Sequence, residues 1–234
     1  MLKHLTILLA FLMPLSAPVV AQDFQKGLAA YDTGDFATAF KEWKPFAEAG
    51  NVNAQYMLGL MYNNGKGVSQ DYKEAAKWFR SAAEQGNAYS QVILGLMYIK
   101  GNGVSQDFKE AVKWYRLAAE QRDADGQYRL GGQYFDGEGV PQDITEARKW
   151  WRLAAEQGFA NAQNNLALMY HYGVGAQQSN VMAHIWYNIA SANGQSKAGE
   201  WRDERAGLMT NADIAKAQQM ASECMSSNYQ NCGY

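Results

Sequence analysis

Leu94–Glu120 reads LGLMYIKGNGVSQDFKEAVKWYRLAAE, and the chain says it repeatedly. A shift of 36 residues in either direction returns the same residue types. Gly59, Gly95 and Gly131 share a column with Ala167. Tyr62, Tyr98, Tyr134 and Tyr170 share another. Two more hold Gly65, Gly101, Gly137, Gly173 and Gly67, Gly103, Gly139, Gly175. Trp78, Trp114, Trp150 and Trp186 complete the register. A period of this length is the signature of stacked supersecondary units, each too small to bury its own apolar face.

Working outward, the period divides residues 51–194 into four units: 51–86, 87–122, 123–158 and 159–194. Each predicts a helix A (Asn53 to Asn64 in the first), a glycine loop (Gly65 to Gln70) and a helix B (Asp71 to Gln85). Gly65 and Gly67 suit positive φ after helix A. Asp71, Asp107 and Asp143 suit helix N-caps, where a carboxylate accepts from free N–H groups and complements the dipole. Gly59 lies inside helix A at a cost of about 1 kcal/mol against alanine. The expected reason is close passage of another helix backbone. Columns 55, 58, 59 and 62 stay nearly fixed and fall on one helical face, which is the predicted core. Residues 22–50 keep only the second half of the register: Trp43 aligns with Phe79 and Gly50 with Gly86. They predict a helical hairpin without the GxGV loop, broken at Gly34 and restarted at Asp35. Residues 195–234 predict two terminal helices that cap the stack, the second opened by Thr210 and Asp213 as a capping box. Ser179 replaces the capping aspartate in the fourth unit, and the third carries Gln121-Arg122 and a doubled Gly131-Gly132.

Residues 1–21 read as a secretory leader: Lys3, an apolar run from Leu5 to Met13, then Val19-Val20-Ala21 before the expected cut. An uncleaved anchor is the alternative. Removing the leader's single lysine takes the net charge from -2 to -3. No basic face for nucleic acid emerges from such a balance. With 47% hydrophobic and 19% charged residues, the composition is that of a globular chain. The expected location is the periplasm or the exterior. In that setting Cys224 and Cys232 predict a disulfide, with two free thiols as the other reading.

The unit A-x-x-LG-x-x-Y-x-x-G-x-GV-x-x-D-x-x-x-A-x-x-W-[YF]-x-x-AAE-x-G, across 51–194, resembles the Sel-one-like repeat (SLR), a relative of the tetratricopeptide repeat. The resemblance implies an all-α fold: an α-solenoid, a right-handed superhelix of antiparallel helix hairpins whose concave face is built mainly from the A helices. It also implies a non-enzymatic adaptor or regulator that binds a protein or peptide segment.

Within the repeat, columns 53, 57 and 64 vary most and share one side of helix A. They nominate Met57, Tyr89, Ile93, Lys100, Asp125, Arg129, Asp136, Asn165 and Tyr172 as partner contacts. The recurrent aromatic pairs Trp78-Phe79, Trp114-Tyr115, Trp150-Trp151 and Trp186-Tyr187 read as packing, with a glycan platform as the alternative. No catalytic, metal or cofactor site is expected. His171 and His184 fall on different helices, and no Ser-x-x-Lys, Gly-x-Ser-x-Gly or phosphate-loop motif occurs. A peptidoglycan-binding or cell-wall-modifying protein is the alternative function.

Overall fold

The computed structural model describes residues 17–229 and Cys232, with side chains from Phe24 onward. Residues 1–16 of the expected leader lie outside the described residues, and the expected cut after Ala21 falls inside the first helix. Among the described residues there are twelve helices and no strand. They are α1 (Ala17–Asp32), α2 (Phe36–Glu48), α3 (Val52–Asn64), α4 (Tyr72–Glu84), α5 (Ala88–Lys100), α6 (Phe108–Glu120), α7 (Ala124–Asp136), α8 (Ile144–Ala155), α9 (Ala160–Tyr172), α10 (Asn180–Ala192), α11 (Ala198–Ala206) and α12 (Asn211–Ser226). Consecutive helices pack on one another, from α1 on α2 through α10 on α11, and α12 returns to α10. The four A helices are α3, α5, α7 and α9.

The helix ends follow from local chemistry. Asp71, Asp107 and Asp143 each accept from two backbone N–H groups at the start of a B helix. Ser179 accepts one, from Met182, so the fourth unit keeps its cap. The A helices end on left-handed glycines such as Gly65 at φ +67. The loop that follows is closed twice. The backbone N–H of Asp71 returns to the Tyr62 carbonyl, and the Gln70 amide donates to the Asn63 carbonyl at 2.7 Å. Equivalent bonds recur through Gln106, Gln142 and Gln178.

The second loop glycine has a further task. A Cβ on Gly67 would meet the carbonyl of Phe36, and one on Gly103 or Gly139 would meet that of Tyr72 or Phe108. The close backbone approach therefore occurs here, where each loop rests on the start of the preceding B helix. Gly59 has a different cause from the expected one. Its nearest neighbour is the Phe79 ring, 2.6 Å from where a Cβ would lie. Gly95 faces Tyr115 and Gly131 faces Trp151 in the same way. The small residue in helix A is a slot for the aromatic ring of helix B in its own unit.

Two ladders join successive units. Gln55 Nε2 donates to the Ala47 carbonyl of the preceding unit, and its Oε1 accepts from Gln85 at 2.7 Å. Gln91, Gln127 and Gln163 repeat the donation, and their Oε1 atoms accept from Gln121, Gln157 and Asn193. Buried amides satisfied at both ends set the spacing between units. Along the second ladder, Arg80 donates to the Tyr98 hydroxyl at 2.7 Å, Arg116 to Tyr134 at 2.7 Å and Arg148 to Tyr170 at 2.9 Å. The aromatic columns are packing, as expected: Phe79, Tyr115, Trp151 and Tyr187 are buried, whereas Trp78, Trp114 and Trp150 are half-buried. At the C-terminal end Ala217, Ala221 and Cys224 of α12 are buried against α10, and Cys224 is joined to Cys232.

Candidate recess on the A-helix face

In three units the A-helix column after the small residue is leucine: Leu60, Leu96 and Leu168. In the third unit it is Gly132. A Cβ placed on Gly132 meets nothing within 4 Å. Gly132 lines a recess of about 410 Å³ across α5, α7 and α9, and the missing side chain enlarges it. This is within the usual range for sites that hold a small molecule or one large side chain, on the order of 300–1,000 Å³.

The recess has an aromatic floor and a polar rim. Tyr115 of α6 and Trp151 of α8 are buried at its base, with Phe135 packed on Trp151 at 5.2 Å between ring centroids. The Trp151 indole is held by its own N–H, which donates to the Tyr128 carbonyl at 3.0 Å. Leu96, Ile99, Leu168 and Met169 supply aliphatic walls. At the opening lie Asp136, Tyr172 and Val174, all exposed. Tyr172 is 67% exposed and stacks on His171 at 4.2 Å.

Two side chains define the electrostatics. Arg129 Nε lies 2.9 Å from Asp125 Oδ1, an ion-pair contact without hydrogen-bond alignment, and the guanidinium acts electrostatically on the Tyr115 phenol. Burial pushes the Tyr115 phenol up to about 12, and Arg129 opposes that rise. Asp136 makes no ion pair among the described residues, so the charge left at the opening is negative. Gln133 stands where the other units have Met61, Met97 and Met169. Its Oε1 is buried with no protein partner.

The nominated contacts divide among these surroundings. Arg129, Asp136, Asn165 and Tyr172 line the recess, and Asp125 holds Arg129. Met57 and Ile93 are half-buried against core clusters and present less free surface than their varying column implied. Tyr89, 66% exposed and near Tyr56, and Lys100 stand outside the recess lining. Sequence reasoning missed Leu96, Ile99, Gly132, Gln133, Phe135, Leu168 and Val174 as its walls. The signal was present: the LM pair of the other units becomes Gly132-Gln133.

The histidines serve packing. His184 is buried and His171 Nδ1 lies 3.0 Å from the Tyr187 hydroxyl. Burial lowers both pKa values, and nearby Arg202 and Arg205 add to it. Among the described residues no group of three or more His, Cys, Asp or Glu side chains could hold a metal ion, and no helix is long and apolar enough to cross a membrane.

The family model of the Sel1 repeat matches residues 52–87, 88–123, 124–159 and 160–195. Among solved structures, a Sel1 repeat protein from Oxalobacter formigenes is 34% identical with a TM-score of 0.74; the match covers 92% of this chain and 91% of that one. The c5321 protein, a protective antigen present in uropathogenic Escherichia coli strains and displaying an SLR fold, is 32% identical with a TM-score of 0.78. That match covers 92% of this chain and 50% of the E. coli protein, so the chain spans half the length of that relative. No functionally curated protein matches the chain significantly.

Proposed function

This chain belongs to the Sel1 repeat family, and from that premise we propose that it is a non-enzymatic adaptor or regulator of the cell envelope that binds a protein or peptide segment along its A helices. Sel1 repeat proteins are generally protein-interaction modules. The observation that carries the reading is where this chain departs from its own repeat. The B-helix aromatics, the glutamine ladder and the arginine–tyrosine ladder recur because packing needs them. Departures concentrate on the A-helix side of the third and fourth units, at Arg129, Gly132, Gln133, Asp136, Asn165 and Tyr172, and these line one recess. A surface shaped by a partner, unlike one shaped by stacking, has no reason to repeat. Apolar walls with a small polar rim match the make-up of interface centres.

Export to an oxidising compartment is part of the proposal and is supported by the Cys224–Cys232 bond. The full chain, expressed with its own leader in a Gram-negative host, should be recovered from the periplasm or the medium. It should then capture the same envelope protein after crosslinking in repeated trials. Asp136→Lys or Tyr172→Ala, both at exposed positions, should weaken capture while leaving the melting temperature unchanged. Equal capture by these variants would refute binding at this face. Co-sedimentation with purified peptidoglycan that the same variants abolish would transfer the site to a glycan.

A further inference from the structure

We propose that the recess opened by Gly132 is a socket for one tryptophan side chain of the bound segment, and that the segment carries a basic residue beside that tryptophan to meet Asp136. The inference rests on the protein-binding reading and gives it a chemistry.

Three observations converge on this occupant. First, the space left by the absent leucine is lined by four aromatic side chains, those of Tyr115, Tyr128, Phe135 and Trp151. Such walls favour another ring, because aromatic pairs gain from tilted and edge contacts beyond the area they bury. Second, Gln133 lines the same space and its buried Oε1 has no protein partner. An acceptor out of water is costly until it meets a donor. Turned into the recess, that amide oxygen would accept from an indole N–H; a phenyl ring has none to offer. Third, the rim is not neutral. Arg129 is neutralised by its ion pair with Asp125, which leaves the Asp136 carboxylate as the available charge at the opening. That charge favours a lysine or arginine next to the ring and disfavours an acidic segment.

The test uses three probes that share one ring and differ in charge: tryptamine, 3-methylindole and indole-3-propionate. Each is titrated into the full chain and followed by ligand-observed NMR. Tryptamine is expected to bind best and indole-3-propionate worst. Asp136→Asn should weaken tryptamine about threefold, the scale of an exposed ion pair, and leave 3-methylindole unchanged. Gly132→Leu restores the residue of the other three units and fills the space. It should abolish saturable binding of all three probes. Asp136→Asn, on an exposed rim, keeps the test decisive even if Gly132→Leu perturbs folding.

The proposal is overturned if no probe binds saturably, if Gly132→Leu binds them like the parent, or if indole-3-propionate binds best. Occupation by a second copy of this chain would overturn it too. That would appear as a concentration-dependent mass in analytical ultracentrifugation that Gly132→Leu removes. Envelope capture that ignores Gly132→Leu would likewise overturn the socket as the anchor of the bound segment, whereas probe binding with no envelope capture at all would leave the socket standing and sink the protein-binding reading.

Discussion

Exchanging the residues of one column tests the packing rule behind the whole stack. Gly59→Ala places a methyl 2.6 Å from the Phe79 ring, and that ring is fully buried, so it has little room to retreat. Inserting a carbon into a close-packed core costs about 1–3 kcal/mol, and this contact belongs at the upper end. Against it stands the gain in helix propensity, about 1 kcal/mol. The net expectation is a loss of about 2 kcal/mol. For a chain of this size that lowers the melting temperature by roughly 4–8 °C. Ala167→Gly, in the same column of the fourth unit, should also destabilise. The methyl there is fully buried, and its removal forfeits both contact and about 1 kcal/mol of propensity. Thermal melts followed by circular dichroism, with urea titrations to check that the slope is unchanged, read both variants. If Gly59→Ala raises the melting temperature, helix propensity outweighs the ring contact and the slot explanation fails.

Arg122 takes φ +66 where the other three units have Gly86, Gly158 and Gly194. Relief of left-handed strain, about 1–2 kcal/mol, less the added freedom of an unfolded glycine, about 0.4–1, predicts that Arg122→Gly stabilises by about 0.5–1 kcal/mol in urea unfolding. Tyr98→Phe removes the acceptor for Arg80 between two units and should cost about 1–2 kcal/mol; a double-mutant cycle with Arg80→Met should then show coupling, and strict additivity would dismiss this ladder as a stabilising link. His184 is buried and its pKa is depressed below the unfolded value of about 6.5. The unfolded chain therefore binds a proton that the folded chain resists, so stability contributed at neutral pH is lost as pH falls through about 6.5 towards the folded pKa. The urea midpoint should drop across that window, and His184→Val, which matches Val112 in its column, should flatten the drop.

Much of this was open to reading from the residues because each unit solves the same stacking problem. Capping aspartates, left-handed loop glycines and a period-36 aromatic column are local or nearest-neighbour requirements, and copying displays them as columns. Gly59 faces a ring rather than the backbone its position predicts, for a reason of the same kind. A glycine inside a helix reports that something is close, and only the fold says whether that is the Phe79 ring or a backbone. The backbone approach belongs to Gly67, whose positive φ alone suffices to account for a glycine there. Met57 and Ile93 illustrate the limit on the functional side. A column that varies can still be packed, because one aliphatic side chain can replace another against the core.

By itself the amino-acid sequence determined the helix pairs, their number within residues 51–194, their boundaries to within a residue or two, and which face of each A helix packs. Those follow from periodicity, which is a property of the chain. The tertiary structure decided which unlike residues share a space. Leu96, Tyr115, Gly132, Trp151 and Leu168 come from five helices, and no spacing along the chain announces that they enclose one recess. Gly132-Gln133 was legible as a departure from the repeat. That it made a cavity depended on the neighbouring units leaving that volume unfilled, which is a matter of three-dimensional packing.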